Sequence, residues 1–178
     1  HAVRAGYVYS AMADMARFSD APDYAAAAEV LSKDVMTSKL YVTGGIGTAE
    51  FGDEGFGVPY KLPNQSAYCE SCAAIANVLW QHRMTLLTAQ AKYADVMELT
   101  LYNAMLSTMS LAGDAFFYQN PLASKSGGHR SSWIGLSCCP TNIARIFPQV
   151  GGLAYAHAKD QVFVNLYLRG TANIALAD

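Results

Sequence analysis

Val3, Tyr7, Ala11 and Met15 recur at helical spacing through HAVRAGYVYSAMADMARFS, so residues 1–19 predict an amphipathic helix. DAPDYAAAAEVLSKDVMTSK predicts a second helix, with Asp20 as its N-cap and Pro22 in the first turn. The period then stops. Residues 40–64 hold six glycines and two prolines in 25 positions and read as one long loop, with room for a short strand at its start. Loops of that length inside a compact domain are usually functional or disordered, and the aromatic residues in this one argue against disorder. A third helix begins near Glu70, with Ile75, Leu79, Met84 and Leu87 as apolar positions. A fourth, AKYADVMELTLYNAMLSTMSL, carries Val96, Leu99, Tyr102, Met105 and Met109. DAFFYQNPLA looks extended, and SKSGGHRSSWIGLS is a polar loop. CPTNIARIFPQVGGLAYAHA predicts a fifth helix, bent or split at Pro148 and the Gly151–Gly152 pair. Val162, Val164, Leu166 and Leu168 alternate with other residues, the period of a strand. The chain is therefore mainly α. Helix pairs joined by a long glycine-rich loop suit an α/α toroid better than a plain bundle, whose connections are shorter.

Composition changes this picture in one respect. Of 178 residues, 52% are hydrophobic and only 15% charged, a large core supply and a thin charged surface. Some apolar surface is expected to meet protein outside the chain, for instance along Val96 to Met109. The chain opens on His1 and stops at Asp178 within β-like sequence, so an excised piece that aggregates or oligomerises alone is the expectation. The net charge of −2 comes without a basic run, which excludes a phosphate-tracking nucleic-acid surface. No apolar run approaches the roughly 18 residues that a membrane helix needs.

The chemistry gathers in two short stretches. All four cysteines lie in AYCESCAA (Cys69, Cys72) and GLSCCPTN (Cys138, Cys139). Adjacent cysteines bridge each other only with strain, and a chain this rich in core has little need of disulfides, so reduced thiols are favoured. Glu70, Cys72, Cys138 and Cys139 together offer three thiolates and a carboxylate, a donor set that suits tetrahedral zinc, with Cys69 as the alternative to Glu70. The competing reading is four buried cysteines acting as small apolar residues. GGIG, residues 44–47, lacks the third glycine of a dinucleotide loop and the Gly-Lys of a P-loop. Glu50, Asp53 and Glu54 read individually as solvated loop carboxylates, His82 as structural, and His129 and His157 as ordinary loop and helix-end residues.

Taken together, YVTGGIG, FGDEGFGVPYKLPN, AYCESCAAIA, KYADVMELTLYNAMLS, FFYQNPL and SCCPTNIARI resemble the glycoside hydrolase family 127 β-L-arabinofuranosidases. The resemblance runs over nearly the whole chain, and AYCESCA and SCCPTN are its most specific parts. It implies an (α/α)6 barrel, of which residues 1–158 would form the second half, with residues 159–178 opening a β-sandwich region. It implies Zn2+ held by Glu70, Cys72, Cys138 and Cys139, with Cys138 as catalytic nucleophile and Glu54 as general acid/base. Tyr118 and His1 would bind the sugar, and Cys69 falls outside the pattern. The implied activity is release of L-arabinose from β-L-arabinofuranosides with retention. The expected partners are an arabinofuranoside, the remainder of the barrel and a further copy of the chain; the expected compartment is the cytoplasm. The alternatives are a non-catalytic zinc-bound helical module and a thiol-dependent redox or hydrolytic protein.

Overall fold

A computed structural model describes residues 1–48, 53–125, 127–135 and 137–176; Glu50 and the last two positions of the expected β region fall outside these. The described chain is mainly helical. α1 spans Ala2–Phe18, α2 Pro22–Ser38, α3 Ser71–Thr88, α4 Ala91–Thr100 and α5 Cys138–Ile146. A two-stranded antiparallel hairpin, β1 (Tyr155–Ala158) and β2 (Gln161–Val164), pairs Tyr155 with Val164 and turns at Lys159.

α3 organises the rest. Its residues 71–82 are buried without interruption, the signature of a helix that is covered all round rather than on one stripe. One side meets Met97, Leu101 and Met105 of the α4 segment and Ile143 and Ile146 of α5. Trp80 and Met84, on another, meet Ala2, Ala13, Ala28 and Val35 of α1 and α2. α1 comes especially close: a Cβ on Gly6 would stand 2.8 Å from the Ala76 Cβ.

Several local expectations change. Asp20 does not cap α2; Ala21 holds the N-cap and Pro22 begins the helix, while Asp20 sits at φ 48° as the chain turns. Its short polar side chain tolerates that left-handed conformation, so it serves the turn instead of the cap. No strand opens the long loop among the described residues; Tyr41–Gly44 form a turn, in which the Gly44 N–H donates to the Tyr41 carbonyl at 2.8 Å. The fourth helix runs on from α4 as a π-turn, Leu101–Met105, and a 3-10 turn, Leu106–Thr108. The apolar segment from Val96 to Met109 is not the exposed face. Val96, Met97, Leu101, Ala104 and Met105 are buried against α3, whereas Tyr102 points outward. Apolar residues at both spacings allowed either stripe, and packing against α3 chose between them. Exposed apolar positions on the helices include Val8, Met15 and Phe18 of α1 and Val30 of α2; others, such as Val42, Leu111, Trp133 and Tyr167, lie on loops and near the hairpin. The fifth helix ends at Ile146, passes into a 3-10 stretch through Pro148, and gives way to β1 at Tyr155.

GGIG has a structural explanation. Gly44 adopts φ +82°, and a Cβ there would stand 2.5 Å from Thr100 Oγ1 and 2.7 Å from the Thr100 Cα. Only glycine combines that φ with so close an approach. The Gly44 carbonyl accepts from Asn77 Nδ2 at 3.2 Å and Thr100 Oγ1 at 3.1 Å, tying the loop to α3 and α4. From that anchor the Thr48 carbonyl accepts from the Tyr68 N–H at 3.1 Å, beside the segment that delivers Glu70.

Candidate active site

Two helix N-termini converge. Glu70 is the N-cap of α3 and Cys72 lies in its first turn; Cys138 and Cys139 open α5. The positive ends of two helix dipoles thus meet the acidic side chains, which favours their ionised forms. Glu70 is further fixed by a bridge to Gln119, and the Ser71 N–H donates to the Tyr118 carbonyl at 2.9 Å, so the extended segment through residues 116–120 supports this end of the helix.

The four side chains form one cluster, their donor atoms all within 4.8 Å of one another. Cys72 Sγ lies 3.5 Å from Cys139 Sγ, Cys138 Sγ 3.8 Å from Cys139 Sγ, and Glu70 Oε1 3.7 and 3.9 Å from the sulfurs of Cys139 and Cys138. Two sulfurs at about 2.3 Å from a tetrahedral zinc stand about 3.8 Å apart, and a sulfur and a carboxylate oxygen about 3.5 Å. The donor types and spacings therefore fit a zinc-sized cation. Electrostatics points the same way. Burial, then the charge of Glu54, pushes the Glu70 carboxyl up. The Cys72 thiol is lowered, chiefly by its hydrogen bond with Cys139. Cys139 is raised, first by that same contact and then by burial. The Cys138 thiol is also raised, mainly by burial. Four acids packed together resist joint ionisation, and a divalent cation is what relieves that resistance.

The thiols are not equivalent. All four are free; Cys69, Cys72 and Cys139 are buried, and Cys138 alone is exposed. Cys138 opens into a cavity of about 410 Å3 that is also lined by His1, Val3, Arg4, Glu54, Glu70, Cys72, Tyr118 and Ser137. Glu54 Oε2 lies 2.6 Å from His1 Nε2, and the Glu54 backbone carbonyl accepts from the Ala2 N–H at 2.7 Å, fastening the long loop to the start of α1. Tyr118 lines the same cavity as Cys138 and Glu70, and burial raises its phenol.

Every side chain singled out for the site thus lies on one cavity or in the cluster beside it. Cys69 stands apart, packed with Tyr41 and Ala67, and burial pushes its thiol up to about 12. His82 is buried on α3, outside the cluster. Two neighbours were missed. Tyr68 donates to Glu54 Oε1 at 3.2 Å, but Cys69 sits at φ 38° between it and Glu70, so strand alternation offered no signal for it. His129, read as an ordinary loop residue, lines a second cavity with Glu54. No local pattern marks it.

Comparison with known proteins gives the family of the chain. Residues 1–152 match the β-L-arabinofuranosidase, GH127 catalytic domain family, and the chain belongs to it. The non-reducing end β-L-arabinofuranosidase of Bifidobacterium longum is 33% identical over 98% of the chain and 28% of its own length. A solved GH127 β-arabinofuranosidase superposes with a TM-score of 0.91 at 49% identity, over 94% of this chain and 26% of that one. The GH127 β-L-arabinofuranosidase of Geobacillus stearothermophilus T6 also gives 0.91, at 40% identity over 94% and 28%. The chain thus spans between a quarter and a third of these relatives.

Proposed function

We propose that the chain carries the catalytic centre of a retaining β-L-arabinofuranosidase within a longer protein. Its helices would form half of an (α/α)6 barrel over residues 1–158, with residues 159–178 opening a β-sandwich region. The observation that carries this reading is the Glu70–Cys72–Cys138–Cys139 cluster meeting Glu54 across one cavity. Those four side chains would hold Zn2+, which when bound supplies positive charge that keeps coordinated sulfur deprotonated at neutral pH.

The protein's own groups then do the chemistry. Cys138, the exposed thiol, would attack the anomeric carbon through Sγ while the bond to the leaving oxygen breaks and Glu54 gives that oxygen its proton. In the second step Glu54 takes a proton from water, the water oxygen attacks the same carbon, and the carbon–sulfur bond breaks to restore the thiolate. Two displacements at one carbon retain its configuration. His1, 2.6 Å from Glu54, would orient that carboxylate and meet sugar hydroxyls, as would Tyr118. A site that pairs each hydroxyl rejects analogues lacking one. Among the described residues no helix is long and apolar enough to cross a membrane. Four free thiols suit a reducing compartment, consistent with the cytoplasm. Further protein completing the barrel, and self-association through the outer apolar positions of α1 and α2, belong to the same reading.

The test uses the full-length protein. A mechanism-based arabinofuranosyl inhibitor followed by peptide mass spectrometry should place one label on Cys138. A label on Glu54 or Glu70 would replace the thiol nucleophile with a carboxylate. Zinc without any glycosidase turnover would favour a structural metal module.

A further inference from the structure

The site has a second chamber. A cavity of about 550 Å3 is lined by Glu54, Tyr68, Phe116, Phe117, Tyr118, Gln119, His129, Ser131 and Ile134. It shares only Glu54 and Tyr118 with the chamber that holds Cys138 and His1. Glu54 lines both chambers, and its two oxygens have different partners. Oε2 meets His1, which lines the Cys138 chamber alone; Oε1 accepts from Tyr68, which lines the second chamber alone.

We infer that this second chamber receives the leaving group, and that the leaving group it is built for is itself a sugar ring, with His129 and Gln119 as specificity-determining contacts. The inference rests on the hydrolase reading above and extends it. A group that protonates the departing oxygen must reach both halves of the bond being cut. Cys138 fixes the half that is held covalently on its own side of Glu54, so the departing half lies on the other. The walls suit a sugar. Rings of Tyr68, Phe116, Phe117 and Tyr118 offer apolar faces to ring C–H groups, while the His129 imidazole, the Gln119 amide and the Ser131 hydroxyl offer partners to hydroxyls. The volume lies within the roughly 300–1,000 Å3 of small-molecule pockets.

The loop that supplies three of these residues is fixed in place. Phe116 and Ser131 exchange backbone hydrogen bonds at 2.8 and 2.9 Å. Arg130, between His129 and Ser131, donates through Nη2 to the Ser107 carbonyl at 2.6 Å and lies 4.5 Å from the Phe117 ring centroid. His129 itself is exposed, so changing it removes a wall contact and no core packing.

The experiment compares two substrates in the full-length protein: a β-linked arabinofuranosyl disaccharide and an arabinofuranosyl glycoside with a small activated leaving group. His129→Ala should lower kcat/KM at least about tenfold more on the disaccharide than on the small glycoside, the loss expected for about 1.4 kcal/mol of leaving-group binding. Ile134→Trp, which fills the chamber from a half-buried position, should shift the ratio the same way and suppress transfer of the bound sugar to an added sugar acceptor more than transfer to methanol. Equal losses on both substrates in both variants, with unchanged acceptor preference, would overturn this inference while leaving the hydrolase reading standing. A wild-type protein inert on the small glycoside as well as on the disaccharide would overturn both.

Discussion

Near its start α3 buries Glu70 and Cys72, each 4% exposed, and toward its other end it buries His82, 9% exposed. Burial shifts ionisable groups at both ends. His82 is pushed down to about 4, first by desolvation and then by the neighbouring Arg83 charge, so it packs as a neutral ring. Among the described residues it joins no cluster of metal-ligating groups and lines no cavity with the reactive side chains. At the start of the helix three thiols and the Glu70 carboxyl perturb one another beside open space. A shifted titration marks a functional site only when a second ionisable group and a cavity accompany it. One helix, built from one continuous run of buried residues, supplies both outcomes.

The largest expected effect separates the ends by activity. In the full-length protein Cys138→Ser should reduce turnover by about 10^3-fold or more, as loss of a covalent nucleophile does, whereas His82→Gln should retain wild-type turnover. Steady-state rates on an aryl arabinofuranoside check both, and a comparable loss from His82→Gln would erase the distinction. Next, Glu54→Gln should slow glycosides with poor leaving groups by about 10^2- to 10^4-fold, the range of general-acid catalysis, and activated ones far less. A uniform loss across leaving groups would remove Glu54 from the acid role.

Metal retention sharpens the contrast within AYCESCAA. Cys72→Ser and Cys139→Ser should each weaken zinc binding by more than the roughly 10–100-fold that losing an outer-shell partner costs. Cys69→Ser should leave about one zinc per chain by elemental analysis, as expected of a single four-coordinate site. Full occupancy in the Cys72 and Cys139 variants would break the assignment. The smallest effect is on stability against pH. Folded His82 stays neutral down to about pH 4, whereas in the unfolded chain it takes up a proton below about 6.5. Its share of stability is therefore complete above pH 6.5 and is lost as pH falls through about 4, by roughly 3 kcal/mol. Denaturant titrations across that window should show a slope that His82→Gln flattens.

Helix existence was legible because apolar residues recur at helical spacing, and α1, α2 and α3 lie where the pattern placed them; the buried stripe of α1 was not, since Ala11 and Met15 face outward while Gly6, Ser10 and Ala13 are buried. The sulfur cluster follows from side chains that had few other uses. Tertiary choices were not legible. Which stripe of the α4 segment turned inward depended on the shape of α3, and the end of α5 depended on a hairpin whose strands each have only 4 residues. Glu54 carries no local signal, since a carboxylate in a glycine-rich loop gains its meaning only from the residues that the fold brings beside it. The same holds for His129, which comes to the Glu54 cavity by way of backbone pairing between Phe116 and Ser131.

The contact between Gly6 and Ala76 bears on how this sequence could drift. With 2.8 Å between the Ala76 methyl and any methyl added to Gly6, a single carbon would wedge α1 away from α3. His1 would move with it, and through the Ala2–Glu54 hydrogen bond the loop bearing the carboxylate would follow. Val8, Ala11 and Met15 point outward and are free to vary as far as this chain's own packing is concerned, whereas Arg4 lines the Cys138 cavity. A random library of α1 would thus return a stripe of permissive positions around one intolerant one, and the intolerance would peak at a glycine with no chemistry of its own, a full turn beyond the histidine whose position it sets.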